Sequence, residues 1–224
     1  MNYIRFAFLA LLKIAGRVIY QRDIRWLSKK PEDWSQVSLI LVLNHTSLFE
    51  FVYGVTLPFR FLWSLSQRLV IPVASTTLER PVAGFVFSHL APKTIGLTRK
   101  RDESWQKFLD EIKDDDICIF MPEGQMKRRN GLDKNGNPMR VKHGVYDLMR
   151  KYQNKNMVIV YSKGLHHILA PGDTCPKIFK KIEASLDFLR VGDYLNGFVH
   201  YDNPAEAVAK DLQKRRELFC GPSV

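Results

Sequence analysis

Cysteine is scarce and scattered in this chain. Its three cysteines, Cys118, Cys175 and Cys220, form no Cys-x-x-Cys pair, which argues against a structural zinc site and against a disulfide framework. That usage fits a reducing, cytosolic-side compartment, and Cys118, inside an apolar run, reads as an inert buried thiol. Long apolar stretches are missing as well. The longest in the first element, Phe6 to Leu12, falls far short of the ~20 residues that span a bilayer. There is no Gly-x-Ser-x-Gly elbow, no Walker phosphate loop, no Gly-x-Gly-x-x-Gly and no His-Glu-x-x-His. Their absence weakens serine hydrolase, nucleotide-hydrolysing, dinucleotide-binding and metalloprotease readings. Internal repeats and low-complexity segments are absent too.

Positive charge is abundant. Lys and Arg number 34 against 23 Asp and Glu, a net charge of +11. Such an excess implies an anionic partner, whether nucleic acid, an acidic membrane surface or phosphorylated small molecules. The 224 residues, 46% of them hydrophobic, suffice for one globular domain with a small appendage. We place the appendage at residues 1–36, a helix and a connector, and the main domain at residues 37–224. On a helix over Tyr3–Tyr20, the apolar residues Ile4, Phe8, Leu11, Leu12, Ala15, Val18 and Ile19 fall on one side. Arg5, Lys13 and Arg17 fall opposite, with Phe6 and Leu9 intruding among them. This suits a helix lying in a membrane interface, or a terminal helix packed on the protein's own core. Lys13 interrupts the apolar region, which disfavours a cleaved signal peptide.

The chain is organised around Ser38 to Glu50. Ser38–Leu43 is an apolar run of the kind buried on both faces of a sheet. Asn44 and His45 end it, and Thr46 and Ser47 offer helix N-cap side chains. A histidine and a glutamate five residues apart thus sit where a buried strand turns into a helix, the place where open α/β sheets bind ligands. A neutral imidazole there can accept a proton from an alcohol while a carboxylate on its other nitrogen fixes the tautomer. The same spacing also suits a buried histidine satisfied by a carbonyl, with Glu50 solvated. Asp116–Phe120 repeats the geometry, with Met121-Pro122-Glu123-Gly124 at its carboxyl end.

Elsewhere the patterns predict a polar connector over Gln21–Gln36 and strands or short buried segments at Phe59–Leu65 and Leu69–Val73. Helices follow over Arg80–Leu90, from Asp102 to about Lys113, over Val141–Tyr152, and from Asn203 to about Phe219. Short strands fall at Thr94–Leu97 and Met157–Ser162. The loop Lys127–Arg140 contains two Asn-Gly turns, and its Asp133 to Asn137 stretch lacks the acidic ligand that a calcium loop needs. After Lys163 the pattern weakens. His166 and His167 lack acidic or cysteine partners at ligand spacing and read as structural. Alternating strands and helices predict an α/β fold, a mostly parallel sheet flanked by helices, with an N-terminal amphipathic helix.

At this point the motifs resemble the glycerophospholipid acyltransferase family, typified by 1-acyl-sn-glycerol-3-phosphate acyltransferase. The signature Asn-His, four residues, Asp is matched by Asn44-His45-Thr46-Ser47-Leu48-Phe49-Glu50. Ile95-Gly96-Leu97-Thr98-Arg99 loosely matches a block ending in Arg, and Met121-Pro122-Glu123-Gly124-Gln125-Met126 keeps the centre of Phe-Pro-Glu-Gly-Thr-Arg. Lys142-His143-Gly144 fits a later Lys-x-Gly. The resemblance implies acyl transfer from acyl-CoA or acyl carrier protein to a lysophospholipid hydroxyl, with no cofactor, metal or nucleic acid. His45 would be the base and Glu50 its orienting carboxylate. Asn44, Arg99, Glu123, Gly124, Lys127 and Arg128 would line the substrate site, Arg99 as the phosphate clamp. Glu123 could instead hold backbone donors in its turn, and Gly124 could serve only its own φ. The protein would act as a peripheral or monotopic protein at the cytoplasmic face of a membrane.

Departures from the family pattern bear on the acceptor. Glu50 is one methylene longer than Asp, so it must stand off or fold back. Gln125 and Met126 replace Thr and Arg, leaving Lys127, Arg128 and Arg129 to supply charge. Two other readings follow from the same residues: this fold acylating a different lyso-lipid or glycolipid, and a non-catalytic basic module that binds anionic lipid or nucleic acid.

Overall fold

The computed structural model describes residues 1–78, 81–98 and 102–221. Seven strands form one sheet: β1 (Gln21–Trp26), β2 (Val37–Leu43), β3 (Leu69–Ala74), β4 (Lys93–Leu97), β5 (Ile117–Phe120), β6 (Asn156–Ser162) and β7 (Lys181–Arg190), in the order β1-β7-β6-β2-β5-β3-β4. β2 to β6 run parallel, whereas β7 pairs antiparallel with β6 and β1 runs alongside β7. The fold is the α/β, mostly parallel architecture expected from the sequence.

The sheet buries both faces, and residue alternation assigns each side chain to one of them. Ile40, Val42, Val158, Val160 and Leu186 point to the first face. It is covered by α1 (Asn2–Ile19), a 3₁₀ helix over Glu50–Thr56, α2 (Phe59–Arg68), the short α3 (Ser75–Leu78) and α4 (Pro81–Leu90). Leu39, Leu41, Leu43, Met157, Ile159 and Tyr161 point to the second. There α5 (Glu103–Glu111), α6 (Gly144–Lys151), α7 (Val191–Asn196) and α8 (Pro204–Cys220) close over them. Asp102 caps α5 by accepting the Ser104 amide, and Asn203 caps α8 by accepting that of Glu206, each satisfying a donor the first turn leaves free.

Several expectations are corrected. Gln21–Gln36 is not all connector, because Gln21–Trp26 is the edge strand β1. An edge strand half in water carries charges along its length, which masks its pattern. Phe59–Leu65 lies in the helix α2, burying Phe61, Leu62 and Leu65; a short apolar run cannot be told from a strand by periodicity alone. Thr46 and Ser47 cap no α-helix: the following turn is 3₁₀ and begins at Glu50. β7 lay in the stretch without clear pattern, yet it sends Ile182, Ala184 and Leu186 into the core.

Helix α1 divides its side chains unusually. Arg5, Leu9, Lys13 and Gly16 face the protein, with Phe6, Phe8, Leu12 and Ile19 packed partly against the core, while Ile4, Leu11, Ile14 and Val18 are exposed. Lys13 Nζ donates to the carbonyls of Val55, at 2.7 Å, and Leu57 at the end of the 3₁₀ helix. Burial first, then Arg17, Arg22 and Lys30, lower its pKa to about 8. Gly16 permits the close approach, since a Cβ there would come within 2.6 Å of Val55 Cγ1. Among the described residues, no helix is long and apolar enough to cross a membrane.

Candidate active site

The site begins where β2 stops. Asn44 takes a left-handed φ of 63°, which asparagine tolerates better than most residues, and this turns the chain sharply out of the sheet. Its side-chain amide donates to Ser162 O at 2.8 Å, tying the turn to the end of β6. Beneath it lies Glu123, 1% exposed. One carboxylate oxygen accepts the Asn44 amide at 2.9 Å and the other accepts the His45 amide at 2.8 Å. Arg216 of α8 donates to Glu123 Oε1 at 2.8 Å and to Met139 O at 3.1 Å. Both oxygens of Glu123 are therefore engaged in holding the backbone that carries His45. Its charge is balanced by a buried guanidinium, the arrangement a buried carboxylate requires.

His45 Nδ1 lies in short hydrogen-bond contact with Glu50 Oε2. The other oxygen of Glu50 accepts the Thr46 amide at 2.7 Å and, more weakly, that of Ser47 at 3.4 Å. The extra methylene is thus taken up by folding the side chain back over its own turn. With a carboxylate on Nδ1, neutral His45 carries its proton there and leaves Nε2 as the basic nitrogen. Burial disfavours the imidazolium, but Glu50, and Glu123 behind it, outweigh burial and raise the pKa of His45 above its ordinary 6.5.

His45 and Glu50 stand on the wall of a cavity of about 680 Å³, within the usual size of ligand pockets. It runs over the first face of the sheet beneath α1, along Ile40, Val42, Val158 and Val160, as far as Leu9, Leu12 and Lys13. Toward solvent, its rim includes Thr98, Gly124, Arg140, Lys142 and His143. A deep apolar channel thus opens past a base into a cationic mouth. An alkyl chain fits the former and phosphate the latter.

Of the remaining expected site residues, Gly124 stands on this rim, whereas Lys127 and Arg128 lie outside the lining of the cavity. Gly124 has φ 69° and open space where a Cβ would stand, so backbone conformation rather than crowding demands glycine. Lys127 is half-buried, donates to Asn44 Oδ1 at 3.2 Å, and has its pKa lowered by burial and by Arg216. Arg128 is exposed on the following turn, where its amide donates to Leu132 O at 2.8 Å. Arg99 lies outside the described residues. Gln125, in place of the family's Thr, donates to Asp133 at 2.9 Å. His166 donates to Lys127 O at 2.6 Å and His167 to Lys181 O at 2.7 Å, so each supports a loop. Among the described residues, no three His, Cys, Asp or Glu side chains are grouped to hold a metal ion.

Arg216 escaped the sequence reading because it lies 93 residues from Glu123 in a helix full of charges. The one clue was general, that a buried carboxylate demands a cation. Nor did any local pattern announce Tyr53, whose hydroxyl bonds Ser162 Oγ at 2.7 Å and steadies the end of β6 beside Asn44.

The fold places the molecule among α/β proteins with a mostly parallel sheet covered by helices on both faces. The supporting likeness is to the crystal structure of the 1-acyl-sn-glycerophosphate (LPA) acyltransferase PlsC from Thermotoga maritima. It extends over 96% of this chain and 80% of that one, with a TM-score of 0.55 at 16% sequence identity, and it establishes the fold. No protein-family model matches the sequence, and no curated protein matches it.

Proposed function

We propose that this protein is an O-acyltransferase that moves a fatty acyl chain from an acyl thioester, acyl-CoA or acyl carrier protein, to a lysophospholipid hydroxyl. The acceptor we favour is 1-acyl-sn-glycerol-3-phosphate, which would give phosphatidic acid. One observation carries the reading: a His45–Glu50 pair on the wall of a largely apolar cavity of about 680 Å³, a volume that accommodates an alkyl chain. His45 Nε2 removes the proton from the acceptor hydroxyl as its oxygen attacks the thioester carbonyl. Glu50 holds the ring and stabilises the imidazolium that forms. Collapse of the tetrahedral intermediate breaks the carbon–sulfur bond, and the imidazolium returns the proton to the departing sulfur. The products are the ester and a free thiol. Lys127, Arg128 and Arg99 are assigned to the acceptor phosphate, with Arg140 and Lys142 at the mouth favouring anionic substrates.

We place the protein peripherally on a membrane, at its cytoplasmic face; helix α1 supports the peripheral part of that reading. With Ile4, Leu11, Ile14 and Val18 outward and Arg5 and Lys13 inward, the outer side of the helix suits a lipid boundary better than water. The test is thiol release by the purified protein from acyl-CoA, and from acyl carrier protein, against a panel of lysolipids. Acceptor-dependent release that disappears in His45→Ala is expected, and the panel ranks the headgroups. Silence with both donors and every acceptor would leave a lipid-binding module in its place.

A further inference from the structure

The loop between Ala170 and Lys181 plays no part in acyl transfer, yet its tip is unusual. Ile178 and Phe179 are 54% and 72% exposed, and Phe179 sits at φ 57°, a left-handed conformation that bulky residues rarely adopt. The loop is pinned on both sides. Lys177 N donates to Ile168 O at 2.8 Å, and Gln21 N donates to Lys180 O at 3.1 Å. Asp173 accepts the Ala170 amide at 2.9 Å and faces Arg129 at 3.7 Å. Backbone strain held in an anchored loop that offers two apolar side chains to water points to a contact surface.

Topology decides what that surface meets. Because β7 runs antiparallel to β6, with Ala184 opposite Ser162, the loop arrives at the end of the sheet where β2 and β6 stop and His45 follows. β1 runs beside β7 with Gln21 opposite Lys181, so the last turn of α1, with Val18 78% exposed, reaches the same corner. Cations predominate there, with Asp173, Asp23 and Glu183 each engaged by a cation. Lys177 and Lys180 flank the tip and are exposed, as are Arg17 and Arg22 across from them; Lys181 is occupied by Asp23 and Glu183. Apolar side chains ringed by cations, in line with an outward-facing apolar helix, complement an anionic bilayer.

We propose that the 171–180 loop is a second membrane-contact site. Ile178 and Phe179 enter the headgroup boundary of an anionic bilayer while Lys177 and Lys180 meet lipid phosphates. With α1, the loop turns the active-site end of the sheet toward the lipid that supplies the acceptor. The inference rests on the peripheral-membrane reading and adds to it a separate site with its own residues.

The test is co-sedimentation of the full chain with vesicles of phosphatidylglycerol and phosphatidylcholine, and with phosphatidylcholine alone. Phe179→Glu is expected to weaken partitioning to the anionic vesicles by about tenfold or more. Lys177→Gln and Lys180→Gln should each weaken it about fivefold, as expected of a lysine at an anionic surface. All three should leave turnover of short-chain, monomeric substrates unchanged. A polarity-sensitive fluorophore on Phe179→Cys, in a Cys175→Ser background with the other two cysteines buried, should shift to the blue on binding. Unchanged partitioning and an unshifted probe, with Leu11→Asp on α1 still releasing the protein, would overturn the loop site and spare the peripheral reading. Failure of the wild type to bind any vesicle would remove both. A wild-type dimer dispersed by Phe179→Glu, with vesicle binding intact, would reassign the surface to self-association.

Discussion

The two faces of the sheet are made from alternate residues of the same strands, and they are used differently. On the second face Leu39, Leu41, Leu43, Ile159 and Tyr161 meet Val145, Leu148, Met149 and Leu212, all buried within 2% exposure. On the first, Ile40, Val42, Val158 and Val160 are as apolar but enclose the cavity beneath α1. One side stabilises by close packing and the other gives part of that up for an enclosed space. The His45–Glu50 pair sits at the seam. His45 opens onto the hollow side, and Arg216, from the packed one, braces its backbone through Glu123.

Four experiments would sharpen or break that contrast. The largest effect is expected from His45→Ala, which should lower turnover about 10²–10⁴-fold and also cost some stability, because it leaves the buried Glu50 without its partner. Turnover within a few-fold of the wild type would make His45 a structural residue. Next, Arg216→Met removes the cation from Glu123 on the packed side and should cost about 3–5 kcal/mol in chemical denaturation, because it strands a buried charge. A neutral result would mean that the bracing of the site does not depend on that helix. Smaller again, Val145→Phe on the packed face should cost about 1–3 kcal/mol, whereas Val160→Phe should be better tolerated and shorten the longest acyl chain transferred. Equal costs would dissolve the distinction between the faces.

The smallest effect concerns pH. Because His45 has a raised pKa in the fold and must be neutral to act as base, activity should rise with pH through a value above 6.5. The pair's contribution to stability runs the other way: it is complete below the unfolded pKa and is lost as pH rises through the folded one. In Glu50→Gln burial opposes the imidazolium with less compensation, so the acid limb should move to lower pH, with turnover reduced. A limb that stays in place would mean that Glu50 does not govern the imidazole.

The parts legible in the sequence were those in which cause and effect lie close along the chain. Ser38–Leu43 announced a buried strand, and Asn44, His45 and Glu50 share one turn whose spacing already suggested a dyad. The parallel core followed from alternating strand and helix patterns. The antiparallel β7 and the edge strand β1 were hidden because half of each faces solvent or charge. Arg216 could not be read because its pairing with Glu123 depends on how α8 folds back. In α1 a partial separation into apolar and cationic sides was legible, but which residues face the protein was not: Arg5 and Lys13 turn inward with Leu9, Phe8 and Leu12, while Arg17 and Val18 stay outside. The same periodicity describes a helix and any rotation of it about its axis.

That rotation has a consequence for the protein as a solute. A stripe formed by Ile4, Leu11, Ile14 and Val18 makes copies adhesive in water, and the net charge of +11 is what keeps them apart. Salt shortens the reach of that repulsion from about 10 Å at 0.1 M to about 3 Å at 1 M and leaves the adhesion intact. The colloidal stability of the lipid-free protein should therefore fall as ionic strength rises.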